Sequence, residues 1–185
     1  DVYDCPTWFA KLWHDQQGWL EEGLKKSTAD WQVVVTHFPP TWGQDLWIRL
    51  SREYGIDLMI TGHMHSQEFH HDDPSNFLHP TAWMVSGGGG GITSEGRPTM
   101  DGYDDQYGFF EMTLSKEMIE VQGISHGGML RRIGFLYPRD RDVAHTYPDA
   151  VNHPAHKKAM DEHHAHHADH KHDGDKELLF KKLKL

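Results

Sequence analysis

Residues 31–40 read WQVVVTHFPP, an apolar run that ends at a histidine and two prolines. Residues 31–36 are β-branched and apolar almost without interruption, which is typical of a strand that is covered on both faces. Pro39 and Pro40 exclude a helix directly after this strand and impose an irregular turn. The stretch therefore predicts a buried strand that ends at His37.

A second apolar strand with a similar ending follows downstream. Residues 57–61 read DLMIT, and the chain continues with the block GHMH at residues 62–65. Between the two strands, apolar residues at helical spacing predict a helix over residues 44–54, and Gly55 ends it. A strand, a helix and a strand with short connections form a βαβ unit, so we predict an α/β fold.

Further elements are predicted on both sides of this unit. Thr7 is placed to cap a helix over residues 8–26, and the tryptophans and leucines of this helix are assigned to the core because they share one face. Residues 70–73 (HHDD) could line the mouth of a pocket or bind a metal adventitiously, and an exposed loop is the preferred interpretation. Four more strands are predicted, at residues 81–86, 107–114, 118–125 and 129–136.

The glycine run at residues 87–91 has two interpretations. Its backbone N–H groups could surround a phosphate. No Lys-Ser/Thr pair and no helix start follow it, so a flexible or tightly turned loop is the preferred interpretation.

Composition divides the 185 residues into two parts. Large apolar side chains are frequent up to residue 137, and almost none occur between residues 140 and 175. We therefore predict a folded domain over residues 1–137 and a disordered, low-complexity, His-rich tail over residues 138–185. The tail could serve as a solvated spacer or as a weak metal-binding element.

Charge and hydropathy restrict the classes of partner. The formal net charge is −10 with histidine neutral, which argues against a nucleic-acid partner. No apolar run approaches the length of about 18 residues that a membrane span needs, so none is predicted. The 17 histidines make the surface charge depend on pH between about 5 and 7.

Three histidines directly follow the predicted strands, namely His37, His63 and His65. The carboxyl ends of the strands are where α/β sheets bind ligands, and imidazole binds transition metals such as zinc, iron and nickel. Each histidine alone is equally well interpreted as an ordinary loop or core residue. The three together predict a metal site at this edge of the sheet.

The two histidine blocks resemble those of the calcineurin-like metallophosphoesterases. Residues 36–40 (THFPP) resemble the family's GHxP block, and residues 62–65 (GHMH) match its GHxH block. The wider sequence, from about residue 7 to about residue 137, is most similar to the tartrate-resistant purple acid phosphatases. The resemblance implies part of a layered αββα sandwich.

The resemblance also implies an activity and its cofactors. The family hydrolyses phosphomonoesters with two metal ions, iron paired with iron, zinc or manganese. By resemblance, His37 and His63 would bind the divalent ion and His65 the ferric or other first-site ion. The resemblance further implies a secreted or endolysosomal location.

The family's earlier motifs, DxH, GDxxY and GNHD or GNHE, have no match in this sequence. They supply a bridging aspartate, further ligands and a catalytic histidine. We therefore expect the chain alone to be inactive and a missing N-terminal segment, in cis or as a second chain, to complete the site. The alternatives are a non-catalytic, diverged phosphatase-fold module for binding or assembly, and a His-rich metal-binding element.

Overall fold

Two helices and two sheets form the regular structure of residues 4–89 and 96–139, which are the residues that the computed structural model describes. The predicted disordered tail lies, from residue 140 on, outside the described residues. In chain order the elements are α1 (Cys5–Lys26), β1 (Val33–Val35), α2 (Gln44–Tyr54), β2 (Leu58–Thr61), β3 (Gln67–His70), β4 (Ala82–Ser86), β5 (Gly108–Leu114), β6 (Ile119–Ser125) and β7 (Leu130–Leu136).

The first sheet has the strand order β1-β2-β4-β3. Strand β2 pairs in parallel with β1 on one side, where Val34 lies opposite Met59, and with β4 on the other, where Met59 lies opposite Trp83. Strand β3 is antiparallel to β4. Because β1, β2 and β4 are parallel, their carboxyl ends share one edge of the sheet, and both histidine blocks follow strands that end there.

The helices cover one face of this sheet, and the second sheet covers the other. Buried apolar residues from α1, α2, β1, β2 and β4 form one core, in which Leu24, Trp47, Leu50 and Met59 are at most 9% exposed. A second core joins β2 and β4 to the antiparallel sheet β5-β6-β7. The described residues thus supply one helical layer and both sheets of an αββα sandwich, and the predicted α/β class is confirmed.

A buried aspartate joins the starts of three strands. Asp57, which is fully buried, accepts a hydrogen bond from the backbone N–H of Gln32 at 2.7 Å. Its own carbonyl accepts the N–H of Ala82 at 3.1 Å. The backbone N–H of Arg139 donates to the other carboxylate oxygen at 3.4 Å, and the Arg139 guanidinium donates to the carbonyl of Ser51. Through its side chain and its backbone carbonyl, this one residue links β1, β2, β4 and the chain after β7.

The prediction that the tryptophans of α1 belong to the core is wrong. Trp8 is 55% exposed, Trp13 47% and Trp19 74%. The helix packs on the core through Leu20 and Leu24 in its last turns. Helical spacing identified an apolar face correctly, but among the described residues nothing covers its first half. Helix α1 also begins at Cys5 with Pro6 in its first turn, so Thr7 is not its N-cap.

Two expectations about strands are also corrected. Strand β1 is covered on one face only, because Val34 is 6% exposed while Val35 on the opposite face is 74% exposed. In the described part of the chain β1 is an edge strand, paired with β2 alone. His70 belongs to strand β3 and not to an exposed loop, and its ring stacks on Trp83 with the centroids 3.8 Å apart.

None of the described helices is long and apolar enough to cross a membrane.

Candidate metal centre

The structure brings two of the three predicted ligands together. Nε2 of His37 lies 3.2 Å from Nδ1 of His63, and both imidazoles are exposed. The two rings meet because β1 and β2 are parallel neighbours, and each histidine follows the carboxyl end of its strand. Which nitrogen donates depends on the tautomer of each ring. An exposed pair of imidazoles in contact is a donor set suited to a transition metal.

Backbone hydrogen bonds connect the two histidine blocks directly. The N–H of Gly62 donates to the carbonyl of His37 at 3.0 Å, and within the second block the N–H of Met64 donates to the carbonyl of Gly62 at 2.8 Å. His63 adopts a φ of 69°, in the left-handed region that side chains other than glycine rarely occupy. Such a conformation persists where the surroundings fix it, and it is frequent at functional sites.

The glycine run packs tightly against the second histidine block. The N–H of Gly87 donates to the carbonyl of Ser66 at 2.9 Å. A Cβ atom on Gly87 would lie 1.7 Å from the carbonyl oxygen of Met64. Residues 87–89 therefore form a closely packed turn, in agreement with the preferred interpretation of the run. Residues 90 and 91 lie outside the described residues.

Aromatic rings surround His63 on the solvent side. The ring centroid of Phe38 lies 4.7 Å from that of His63, and the centroid of Trp42 lies 5.4 Å from it. Phe38 is 44% and Trp42 59% exposed. The sequence analysis did not single out these two residues. Their position directly after His37, in a loop fixed by two prolines, is the signal that could have identified them.

The third predicted ligand does not join the pair. His65 is half-buried, and residues 4–89 and 96–139 contain no group of three or more His, Cys, Asp or Glu side chains that could hold a metal ion. A transition metal bound by nitrogen and oxygen ligands needs about four to six donors. The described residues therefore provide two imidazole ligands of the metal centre that the resemblance implies. They do not provide the carboxylate ligands of that centre beside this pair.

Part of the chain matches a known protein family. Residues 3–67 match the calcineurin-like phosphoesterase family, Metallophos. The matched region contains β1, α2, β2 and all three histidines. No curated protein matches the chain.

Two solved structures share the fold. A purple acid phosphatase from yellow lupin (Lupinus luteus) seeds, PPD1, superposes with a TM-score of 0.52 and 20% identity over 71% of this chain and 29% of that one. GAP50, the anchor in the inner membrane complex of Plasmodium, superposes with a TM-score of 0.54 and 22% identity over 81% of this chain and 48% of its own. The chain thus spans less than half the length of either protein. The predicted resemblance to the phosphoesterase superfamily is confirmed, and the chain shares its fold with a purple acid phosphatase.

Proposed function

We propose that this chain carries part of the metal centre of a phosphoric-ester hydrolase that acts on phosphomonoesters. The observation that supports the proposal is the contact of 3.2 Å between His37 and His63 at the ends of two parallel strands. Both residues lie within the region that matches the phosphoesterase family. The resemblance assigns these two imidazoles to one ion and His65 to a second, with iron paired with iron, zinc or manganese.

The backbone of the two histidine blocks would hold and orient the imidazole rings that bind the metal. The hydrogen bond from Gly62 to the carbonyl of His37 fixes the distance between the two blocks, and the turn at His63 sets the direction of its ring. When bound, a pair of metal ions supplies Lewis-acid activation of the phosphoryl group. The exposure of both imidazoles leaves the site open to a phosphate from solvent.

A further polypeptide segment would complete the centre. The surface next to β1, which we call the β1 edge surface, consists of Trp19, Trp31, Val33 and Val35, and it lines a groove of about 330 Å³. Trp19 and Val35 are each 74% exposed, and the outer hydrogen-bonding groups of an edge strand can pair with another strand. A strand added there would end beside His37, where its carboxylates could complete the ligand set.

This segment would be the N-terminal part of the domain, in cis or as a second chain. The proposal agrees with the coverage of 29% and 48% of the two related structures. Resemblance to the purple acid phosphatases further favours a secreted or endolysosomal location for the complete protein.

A second candidate function is a non-catalytic module that serves assembly. The incomplete ligand set of the described residues favours it, as does the likeness in fold to GAP50, which is an anchor in the inner membrane complex of Plasmodium. In this case the β1 edge surface would still bind a segment, but the histidine pair would bind no metal.

Metal analysis separates the two candidates. The chain alone and the chain with its completing segment are purified, their metal content is measured by mass spectrometry, and turnover of 4-nitrophenyl phosphate is followed. We expect metal-dependent turnover of the completed protein only. Absence of both metal and turnover in the completed protein would favour the assembly module, and turnover by the chain alone would contradict the assignment of the ligands.

A histidine variant tests the ligands themselves. In the completed protein, His63→Ala should weaken metal binding at least tenfold, because it removes one of two convergent imidazoles. His14→Ala is the matched control, since the His14 side chain is 89% exposed on α1. Equal metal affinity in the His63 variant and the control would refute the proposed site.

A further inference from the structure

The loop that leads into β5 contacts the turn between β6 and β7. We call the last part of this loop, residues 99–107, the 99–107 loop. In the turn, the backbone N–H of His126 donates to the carbonyl of Tyr107 at 2.8 Å. Gly102 and Gly127 approach so closely that a Cβ atom on Gly102 would lie 2.5 Å from the Cα atom of Gly127. The loop and the turn are therefore packed backbone against backbone.

One carboxylate organises the 99–107 loop. Oδ1 of Asp104 accepts the backbone N–H of Gln106 at 3.1 Å and that of Tyr107 at 2.8 Å, and Oδ2 accepts the N–H of Thr99 at 3.1 Å. Burial acts to raise the pKa of Asp104, but these backbone hydrogen bonds prevail and lower the pKa below its ordinary value of 3.8. Asp104 is therefore ionised at neutral pH, and its side chain can only accept hydrogen bonds.

The ring of His126 lies between two acceptors. Nδ1 of His126 lies 3.1 Å from Oδ2 of Asp104, and Nε2 lies 3.1 Å from the carbonyl oxygen of Thr99. A neutral imidazole has one N–H, so it can donate to only one of them, and its other nitrogen then faces an oxygen lone pair. The protonated ring has two N–H groups and donates to both. Only the protonated form of His126 therefore satisfies both neighbours.

The other charged groups near this contact have partners of their own. Arg131 of β7 donates to Asp105 at 2.7 Å, and its guanidinium lies 4.0 Å from the ring centroid of Tyr103. Asp101 accepts the N–H of Tyr103 at 3.0 Å. The carboxylate that His126 faces is that of Asp104, and the Asp104 side chain is only 13% exposed. Solvent therefore screens this contact less than it screens an ion pair on an open surface.

We infer that His126 is a pH-dependent switch for the 99–107 loop: the protonated ring ties the loop to the β6–β7 turn, and loss of the proton breaks one of the two hydrogen bonds and loosens the loop. Histidine is the residue type that ordinarily changes its charge between about pH 5 and 8. The contact is complete while the ring is protonated and is lost as the pH rises. No ligand of the proposed metal centre takes part, so the inference does not depend on the proposed function.

The loop lies at the edge of the molecule that carries the histidine blocks. The N–H of Gly108, the first residue after the loop, donates to the carbonyl of Gly88 at 2.9 Å. Gly88 belongs to the turn that packs against the second histidine block through Gly87 and Met64. The switch thus adjusts the order of a segment beside this edge in response to pH.

Amide hydrogen exchange of the 185-residue chain at about pH 5.5 and pH 8 tests the inference, after correction for the intrinsic effect of pH on exchange. Peptides from the 99–107 loop should be about threefold to tenfold more protected at the lower pH, because one hydrogen bond is gained there. His126→Gln keeps a donor but does not titrate, so its loop should show the same protection at both pH values. His14→Gln is the matched control, since the His14 side chain is 89% exposed, and it should behave as wild type.

A second measurement uses the unaltered chain and does not depend on how a variant folds. Long-range proton–nitrogen NMR of the His126 ring should show two protonated nitrogens at the lower pH. The loop should lose protection at the same pH at which the ring loses its proton. Equal protection of the wild-type loop at both pH values, an undiminished pH dependence in His126→Gln, or loss of protection at a pH where the ring does not titrate would each overturn the inference.

Discussion

At Gly87 a single added carbon atom would disturb the geometry of the site. A Cβ atom at this position would overlap the carbonyl of Met64, so Gly87→Ala must displace the turn that carries His63. We expect the free energy of unfolding to fall by about 1–3 kcal/mol and metal binding to weaken. Gly89→Ala is the control, because a Cβ atom there meets no atom within 4 Å.

Chemical denaturation and metal titration of the two variants check this prediction. Equal behaviour of Gly87→Ala and Gly89→Ala would show that the loop adjusts freely and that the close approach does not position His63.

The contact between His37 and His63 could be predicted because it depends on strand order alone. Both residues directly follow a strand of a βαβ unit, and parallel neighbours end at one edge. The place of His65 could not be predicted in the same way. His65 follows the turn at His63, where φ is 69°. Histidine rarely adopts this conformation, so nothing in the sequence indicates the turn. The predicted assignment of all three histidines to metal therefore stays a prediction.

Among the elements, the attachment of α1 to α2 is sensitive to pH. Glu21 on α1 accepts hydrogen bonds from the guanidinium of Arg49 at 2.7 and 2.9 Å and from the hydroxyl of Tyr54 at 2.8 Å. Arg49 first, and then Tyr54, lower the pKa of Glu21 from 4.5 to about 2. A lowered carboxyl pKa contributes stability that is present above pH 4.5 and is lost as the pH falls toward 2.

Glu21→Gln should therefore loosen α1. At neutral pH we expect faster amide hydrogen exchange along the helix, and the difference from wild type should narrow as the pH falls below 4.5. Glu22→Gln is the control, since Glu22 pairs only with Lys26 of the same helix among the ion pairs of the described residues. An equal effect of both substitutions would assign the result to helix stability instead of to the contact with α2.

The type of each helix or strand was easier to predict from the sequence than which other elements cover its apolar face. The boundaries of α2 and of the three late strands agree with the sequence to within a residue or two. Apolar spacing gives the direction of a face, but it does not say what covers that face, and so the tryptophans of α1 and Val35 were assigned to the core. Strand β3 (QEFH) was missed because its polar residues do not show the apolar pattern of a buried strand.

At the scale of the whole molecule, Asp57 joins β1, β2, β4 and the segment after β7 in the described part of the chain. Its carboxylate accepts the backbone N–H groups of Gln32 and Arg139 in a fully buried position. Asp57→Ala would leave these two donors without their acceptor, and it would remove the carboxylate that lies 3.9 Å from Nε of Arg139. We expect a loss of about 3–5 kcal/mol in the free energy of unfolding, measured by urea denaturation.

The control for this substitution is Asp72→Ala, because the Asp72 side chain is 55% exposed. Asp57→Asn, which keeps an acceptor oxygen, should lose less stability than Asp57→Ala. If the two Asp57 variants and the Asp72 control unfold alike, the buried carboxylate does not hold the sheet together.

The open side of β1 has a consequence for handling the isolated chain. An edge strand of three valines, with Val33 and Val35 facing solvent, combines high β-propensity with no charge and no proline. Such a strand is a template for edge-to-edge pairing between copies, which is the usual start of β-type aggregation. Aggregation of the chain on its own should therefore increase steeply with its concentration, because the exposed valines of β1 can pair with those of a second copy.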